Sequence, residues 1–490
     1  MAKVRSFPAK IWETVSKAGR EDPRRVIHSL KVGVALTLVS FLYVLEPLFK
    51  DVGQNAMWAV ITVVVVLEFT AGATLCKGLN RGFGTLCAGS LAFFIEFVAQ
   101  RPGRVFRAVF IGASVFLIGA VATYVRFFPK IKKNYDYGVV IFLLTFNLIT
   151  VSSYRVENVL HIARERLYTI AIGCGVCLLM SLLVCPNWSG EDLHNSMVYK
   201  LESLAKSIEE CVNEYFTDME TKADEDEPDK DDPIYKGYRA VLDSKSTDET
   251  LAMFASWEPR HSRHCYKYPW EQYVKLGAVL RRFGYTAVAL HGCLESEIQT
   301  PKSVRALFKD PCIRAVQEVS KVLMELASSM KQRRRCSPDV LSDHLHESLQ
   351  DLNAAIKSQP RLFISPNRPA NTVLSSMKTD PFALLEWRTK RDHPNHPKGD
   401  ATDRKAMLRP TLSKIAITGL EFSEALPFAA FASLLVETAA RLELVIEEVE
   451  ELGRVAGFRE YTEDGGVDVV VDKGVAPPPM APNHVSQAAD

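Results

Sequence analysis

The chain has 490 residues, more than one hydrophobic core usually supports, so at least two domains are expected. Its 59 Lys and Arg against 58 Asp and Glu leave a net charge of +1. No basic surplus marks a nucleic-acid partner. That balance averages two unlike halves: apolar runs with arginine-marked connections come first, and acidic stretches such as Asp224–Asp232 follow.

Residues 1–27 read as a polar N-terminal arm. It carries many charges, with Pro8 and Pro23, before any apolar run, which is not the pattern of a cleaved signal peptide. Residues 28–188 read as a membrane domain of six helices, because a bilayer core of about 30 Å needs about 20 mostly apolar helical residues. The six runs are Leu30 to Glu46, Ala56 to Ala71, Gly82 to Ala99, Val105 to Tyr124, Tyr137 to Ser153 and Leu167 to Cys185. The second is rich in β-branched residues, yet in lipid only a helix satisfies its own backbone, so helix is expected there too. Trp58, Phe127, Phe128, Tyr135, Tyr137, Tyr154 and Trp188 fall near the ends as interfacial aromatics. Cations concentrate in the N-terminal arm and in the second-to-third and fourth-to-fifth connections. That bias places those segments, both termini and everything after the sixth run in the cytosol.

A few charges exceed what insertion needs. Arg81 stands just before the third run, Arg126 ends the fourth, and Arg164 and Arg166 open the sixth; Glu68 and Glu96 lie late in the second and third. Snorkelling to headgroups accounts for terminal arginines. Alternatively, they face a water-filled path, where guanidinium groups repel cations and offer forked donors to carboxylate, sulfate or nitrate. On that reading Arg81, Arg126 and Arg166 form an anion pathway, and Glu68, Glu96, Lys77 and Arg164 are further pathway residues or charge partners, the acids as partners of the arginines. Cys174 and Cys177 have metal-pair spacing but sit inside the sixth run without a His or charged partner. They read as small apolar side chains, and no metal or cofactor is expected.

From Ser189 the pattern becomes amphipathic and helical, with Leu193, Met197, Leu201, Leu204 and Ile208 on one face and a cap at Ser189 or Gly190. This helix is expected to continue almost directly from the sixth run. Residues 189–358 read as a cytosolic helical bundle, with later helices near Tyr235 to Ala255, Pro269 to Ser296, Ser303 to Lys331 and Pro338 to Lys357. Residues 359–406 read as a linker rich in Pro, Asn, Ser and basic residues, in which Ser365, Ser375, Ser376 and Thr379 offer hydroxyls to regulatory kinases. Residues 407–458 carry a long last helix, Leu412 to Leu452. Glu437, Arg441, Glu443 and Glu447 recur through it, so it belongs to the bundle rather than to a seventh span. Residues 459–490 read as a disordered tail. The pairs His261 with His264 and Cys265, His344 with His346, and His393 with His396 lack matching second pairs and read as surface or capping groups. No nucleophile elbow, phosphate loop or zinc-protease helix is present, so the chain reads as no enzyme.

Several strings are more specific. EDPRRVIHSLKVG, NAMWAVITVVVVLEFTAGATLCKGLNRGFGTL, KKNYDYGVVIFLLTFNLITVSSYR and FASWEPRH resemble the plant aluminium-activated malate transporter family over nearly the whole chain. LDSKSTDETLA and LEFSEALPFAAFASLLVE resemble its guard-cell branch of quickly activating (R-type) anion channels. The resemblance implies an all-α plasma-membrane homodimer with six transmembrane helices per subunit and a cytosolic helical bundle. It implies a voltage-dependent, malate-sensitive pathway passing malate, sulfate, nitrate and chloride, an efflux suited to stomatal closure. By the same resemblance Arg81 (in LNRG) and Arg166 (before LYTI) match positions of anion conduction. Trp257, Glu258 and Pro259 match a structural signature, and Tyr215 and Phe216 match a segment linked to γ-aminobutyrate modulation. One departure is the fifth-to-sixth connection, which carries Glu157 but His161 where a further acid would help hold aluminium. Two other readings stay open: a coupled organic-anion carrier or exchanger, which needs an intramembrane acid such as Glu68 or Glu96, and a membrane-tethered scaffold.

Overall fold

A computed structural model describes residues 16–17, 19–20, 22–44, 56–99, 103–153, 159–217, 233–259, 269–296, 300–335, 338–359 and 412–459. The first part of the N-terminal arm, nearly all of the linker with its four hydroxyl residues, the tail, Glu157, His261, His264, Cys265, His393 and His396 lie outside the described residues. Within them every named element is a helix, and one isolated bridge joins Arg334 to Arg459.

The N-terminal half holds α1 (Pro23–Val44), α2 (Ala56–Val66), α3 (Ala71–Ala99), α4 (Arg104–Val125), the short α5 (Pro129–Asn134), α6 (Asp136–Ser153) and α7 (Val159–Leu183). Of these, α3, α4 and α7 are long and apolar enough to cross a membrane; α2 and α6 are apolar but shorter. The second apolar run is therefore not one helix to Ala71. Its helix stops at Val66, and Leu67 to Thr70 form a non-helical break before α3 begins eleven residues ahead of the expected Gly82. Polar groups stabilise the break. The Thr70 hydroxyl accepts from the Ala73 amide at 3.4 Å as an N-cap, and Thr74 exchanges hydrogen bonds with the Glu68 backbone. Consequently Lys77 and Arg81 lie inside a 29-residue helix, about 44 Å long, rather than in a connection.

Packing in this half uses small residues. One cluster joins Ala35 and Val39 of α1, Ala59, Val63 and Val66 of α2, and Cys177 and Met180 of α7. Another joins Ala88, Ala92 and Ile95 of α3 to Phe146 and Ile149 of α6. Helices α3 and α6 approach so closely that a Cβ on Gly84 would stand 2.6 Å from the Gly138 carbonyl oxygen. Apolar lipid tails offer no competing hydrophobic drive, so such backbone contact is what holds helices together there.

The C-terminal half comprises α8 (Ser189–Phe216), α9 (Pro233–Leu242), α10 (Lys245–Ala255), α11 (Trp270–Leu294), α12 (Lys302–Gln332), α13 (Pro338–Ser358) and α14 (Leu412–Ala456). Five residues separate α7 from α8, so the two are joined through a short connection rather than as one rod. The segment expected as one helix from Tyr235 to Ala255 is two, parted at Asp243 and Ser244. Asp248 accounts for the corner: fully buried, it accepts from Lys200 Nζ at 2.5 Å, Arg281 Nη1 at 3.0 Å and Ser244 Oγ at 3.1 Å, tying α8, α10 and α11 together. Helix α14 lies in the bundle, with Phe428, Phe431, Leu435, Leu442 and Val445 in the core beside α11 and α12.

His194 of α8 is buried with Nδ1 2.8 Å from the Tyr273 hydroxyl. Burial, aided by the Arg333 charge, pushes its pKa down to about 4 from 6.5. The folded form thus keeps it neutral while the unfolded chain protonates. Its contribution is complete above about pH 6.5 and is lost as pH falls towards 4, by up to about 3 kcal/mol. Thermal unfolding of the purified chain should show this slope, and His194→Gln should flatten it. Gly84→Val should lower the melting temperature strongly whereas Gly82→Val, which meets no neighbouring atom, should not.

Candidate functional site

Helices α3 and α7 run antiparallel along a seam of small and polar residues. Ser181 Oγ donates to Thr74 Oγ1 at 3.4 Å, and one to two turns on Cys174 Sγ lies 3.9 Å from the Gly78 carbonyl. Gly173 packs against Thr62 of α2, where a Cβ would come within 2.7 Å. At the next level of the seam stand Arg81 and Arg166, 4 % and 2 % exposed and within Coulombic range of each other. Arg81 Nη1 donates to the Tyr137 hydroxyl of α6 at 3.1 Å, and the Arg166 guanidinium lies over the Trp58 ring of α2 at 3.9 Å. Arg81 Nε, Arg166 Nε and Nη1, and the Thr85 hydroxyl one turn along α3 have no hydrogen-bond partner among the described residues.

Several other membrane-half cations are matched. Lys77 pairs with Glu68, both partly exposed. Arg107 pairs with the buried Glu96. Arg126 makes two bonds to Asp136, at 2.7 and 3.0 Å, with both side chains 38 % exposed. Lys31, buried in α1, donates at 2.6 Å to the Cys185 carbonyl just past α7, where C-terminal carbonyls lack helical partners. Arg164 sits on the exposed face of α7. The acids expected to neutralise the candidate arginines therefore pair elsewhere, Glu68 with Lys77 and Glu96 with Arg107. The structure brings Arg81 and Arg166 together and sets Arg126 and Arg164 apart from them.

An uncompensated buried cation costs several kcal/mol even after relaxation, and two of like sign compound that cost. Guanidinium groups are always charged and only donate, so the ligand that relieves both is an anion with oxygen acceptors or a halide. The Trp58 face adds a cation–π contact, and Tyr137 holds Arg81 while keeping its own hydroxyl hydrogen available. Trp58 and Tyr137 were legible only as interfacial aromatics; nothing in their spacing pairs them with arginines far along the chain.

A second cluster joins the halves. The Glu258 carboxylate accepts from the Ser189 amide at 2.5 Å and the Gly190 amide at 3.3 Å, so it caps α8 from outside. Trp188 holds the N-cap position and makes no side-chain cap, which corrects the expected cap at Ser189 or Gly190. Ser189 Oγ instead bonds Thr70 Oγ1 at 2.7 Å, and the Ala71 amide donates to the Asn187 carbonyl at 2.8 Å. Gly72 fits directly under the Phe254 carbonyl of α10, and Trp257 meets Tyr135 edge-on at 6.0 Å. The Trp257, Glu258 and Pro259 turn thus clamps α3, α8 and α10. A cavity of about 300 Å³ beside it is lined by Glu68, Ala73, Ser246, Thr247 and Thr250 among others. Tyr215 and Phe216 end α8 on the far side of the bundle: Tyr215 is buried, stacks on Phe431 at 3.8 Å and meets Thr300 at its hydroxyl.

The family model for aluminium activated malate transporters matches residues 16–453. Among relatives from Arabidopsis thaliana, aluminum-activated malate transporter 12 is 59 % identical over 94 % of this chain and 90 % of its own length. Aluminum-activated malate transporter 14 is 58 % identical over 95 % and 92 %, and aluminum-activated malate transporter 13 is 55 % identical over 94 % and 93 %.

The clamp carries a prediction. Glu258→Ala leaves two buried amides without an acceptor, a cost of about 1–3 kcal/mol. Hydrogen exchange at the first turn of α8 should accelerate at least about tenfold in that variant, as 1.4 kcal/mol delivers. Unchanged protection there would remove Glu258 as the cap.

Proposed function

We propose, given that the chain belongs to the aluminium-activated malate transporter family, that it is a passive anion channel in which Arg81 and Arg166 hold the permeating ion. The observation that carries this reading is the pair of buried guanidinium groups on α3 and α7, whose free donors and lack of a paired carboxylate hold among the described residues. An anion with spaced acceptors, such as malate, takes the place that an acidic side chain would fill. Sulfate, nitrate and chloride suit the same donors. Arg126, held by Asp136, belongs to the rim of such a path rather than to its narrow part.

The six apolar helices α1, α2, α3, α4, α6 and α7 are proposed as the spans, with both termini and the bundle in the cytosol and two copies forming the working unit. The cation-rich N-terminal arm and α5 support that orientation. Plasma-membrane placement and efflux during stomatal closure follow from likeness to the guard-cell branch. Voltage acts here on few charges, about 2.3 kcal/mol per unit charge per 100 mV across the full field, or on the permeating anion itself. A coupled carrier has less support, because both candidate acids, Glu68 and Glu96, are already committed to cations.

Malate current through the purified protein in liposomes tests the assignment. Arg81→Ala and Arg166→Ala should each lower it at least about tenfold, the effect of about 1.4 kcal/mol, with dimer assembly measured by cross-linking unchanged. Full current in both variants would remove the pair from the pathway.

A further inference from the structure

A cavity of about 770 Å³ lies beside α3. Leu79 and Phe83 of α3, Val125 of α4, Ile131 of α5 and Phe142 of α6 line it, and Trp257 of the clamp closes the end nearest the bundle. Its volume falls within the range of about 300–1,000 Å³ typical of small-molecule sites. The lining is almost wholly apolar, and Leu79 and Phe83 are 53 % and 70 % exposed, so the cavity opens on the outward face of the apolar helices. An apolar chain, not a polar solute, suits such a space.

The chemistry at its mouth is different. Helix α5 turns Ile131 towards the cavity while Lys130, Lys132 and Lys133 stay exposed, and Phe127 and Phe128 stand exposed just before it. Between Arg126 and Asp136 there are four cations and one acid, and that acid is held by Arg126. An apolar slot flanked by aromatics and unanswered lysines at the bundle end of the apolar helices has the layout of a lipid-headgroup site.

We propose that this slot binds one anionic phospholipid of the leaflet facing the bundle, with an acyl chain between α3, α4 and α6 and its headgroup on Lys130, Lys132 and Lys133. A second copy of the chain fits the slot less well. Twofold contacts bring like residues together at one depth, so its own lysines would face these with no free acid to answer them. The site also has a route to the clamp: Trp257 touches the slot and Tyr135, and the next residue, Glu258, caps α8. Lipid occupancy therefore bears on how α8 is held. None of this depends on which solute the arginine pair takes.

Quenching of Trp257 by brominated acyl chains tests the proposal. Full-length protein is placed in phosphatidylcholine nanodiscs containing a minor fraction of either brominated phosphatidylserine or brominated phosphatidylcholine, and Trp257→Phe is subtracted to isolate that residue. Brominated phosphatidylserine should quench Trp257 severalfold more, and replacing Lys130, Lys132 and Lys133 by Gln should erase the difference. Equal quenching by both lipids means bulk lipid only and overturns the site. So does absence of quenching together with cross-linking between copies at Phe83, which assigns the slot to a second copy. Native mass spectrometry gives an independent reading: wild type should retain phosphatidylserine over phosphatidylcholine severalfold and Val139→Trp, which fills the slot, should not. Equal retention of the two lipids by wild type overturns it as well.

Discussion

Two like charges buried between apolar helices set the terms for the membrane half. Arg81 and Arg166 stay charged, are 4 % and 2 % exposed, and have donors with no hydrogen-bond partner among the described residues. Their neighbours manage what remains of the cost: Trp58 lies under one guanidinium and Tyr137 accepts from the other. Where α3 meets α7, Cys174 Sγ reaches the Gly78 carbonyl, and Gly173 of α7 leaves room for Thr62 of α2. Elsewhere in the half, Glu68, Glu96 and Asp136 each answer a cation. Among the buried charges of this half, the two guanidinium groups at one level of α3 and α7 are left without a carboxylate among the described residues.

That helix pair is not mechanically separate from the bundle. Helix α3 starts at a break whose residues bond to the connection after α7 and to the first residue of α8. Glu258 then fixes the same turn from α10's end, using both carboxylate oxygens on amides that the helix itself leaves unsatisfied. Asp248, buried with Lys200 and Arg281, ties α8 to α10 and α11. A displacement in the bundle reaches the start of α3 through hydrogen bonds and close backbone contact, and Arg81 lies about three turns further along.

Much of the fold was legible in the sequence because hydropathy and helical periodicity are local. The fourth and fifth apolar runs, the start of α8 and the ends of α11, α12, α13 and α14 lie within a few residues of their expected places. The misses were set by distant partners. The β-branched run before Leu67 shows no local reason to stop, and its break is stabilised by Asn187 and Ser189 more than a hundred residues away. Reading Arg81 as a pre-span residue followed from that miss. Glu258 was visible as part of a signature, but its role as a cap for Ser189 depends on a fold that brings residues 69 apart together. Arg81 and Arg166 were both found from charge and family likeness; their proximity, and the engagement of Arg126 by Asp136, needed coordinates.

The zero-current potential across a bilayer holding the purified protein, with potassium malate at unequal concentrations on the two sides and equal pH, tests the central claim most directly. A pathway organised by unpaired guanidinium groups must exclude potassium, so the potential should approach the malate equilibrium value. A potential at the potassium equilibrium value, or no current at any voltage, would contradict the account.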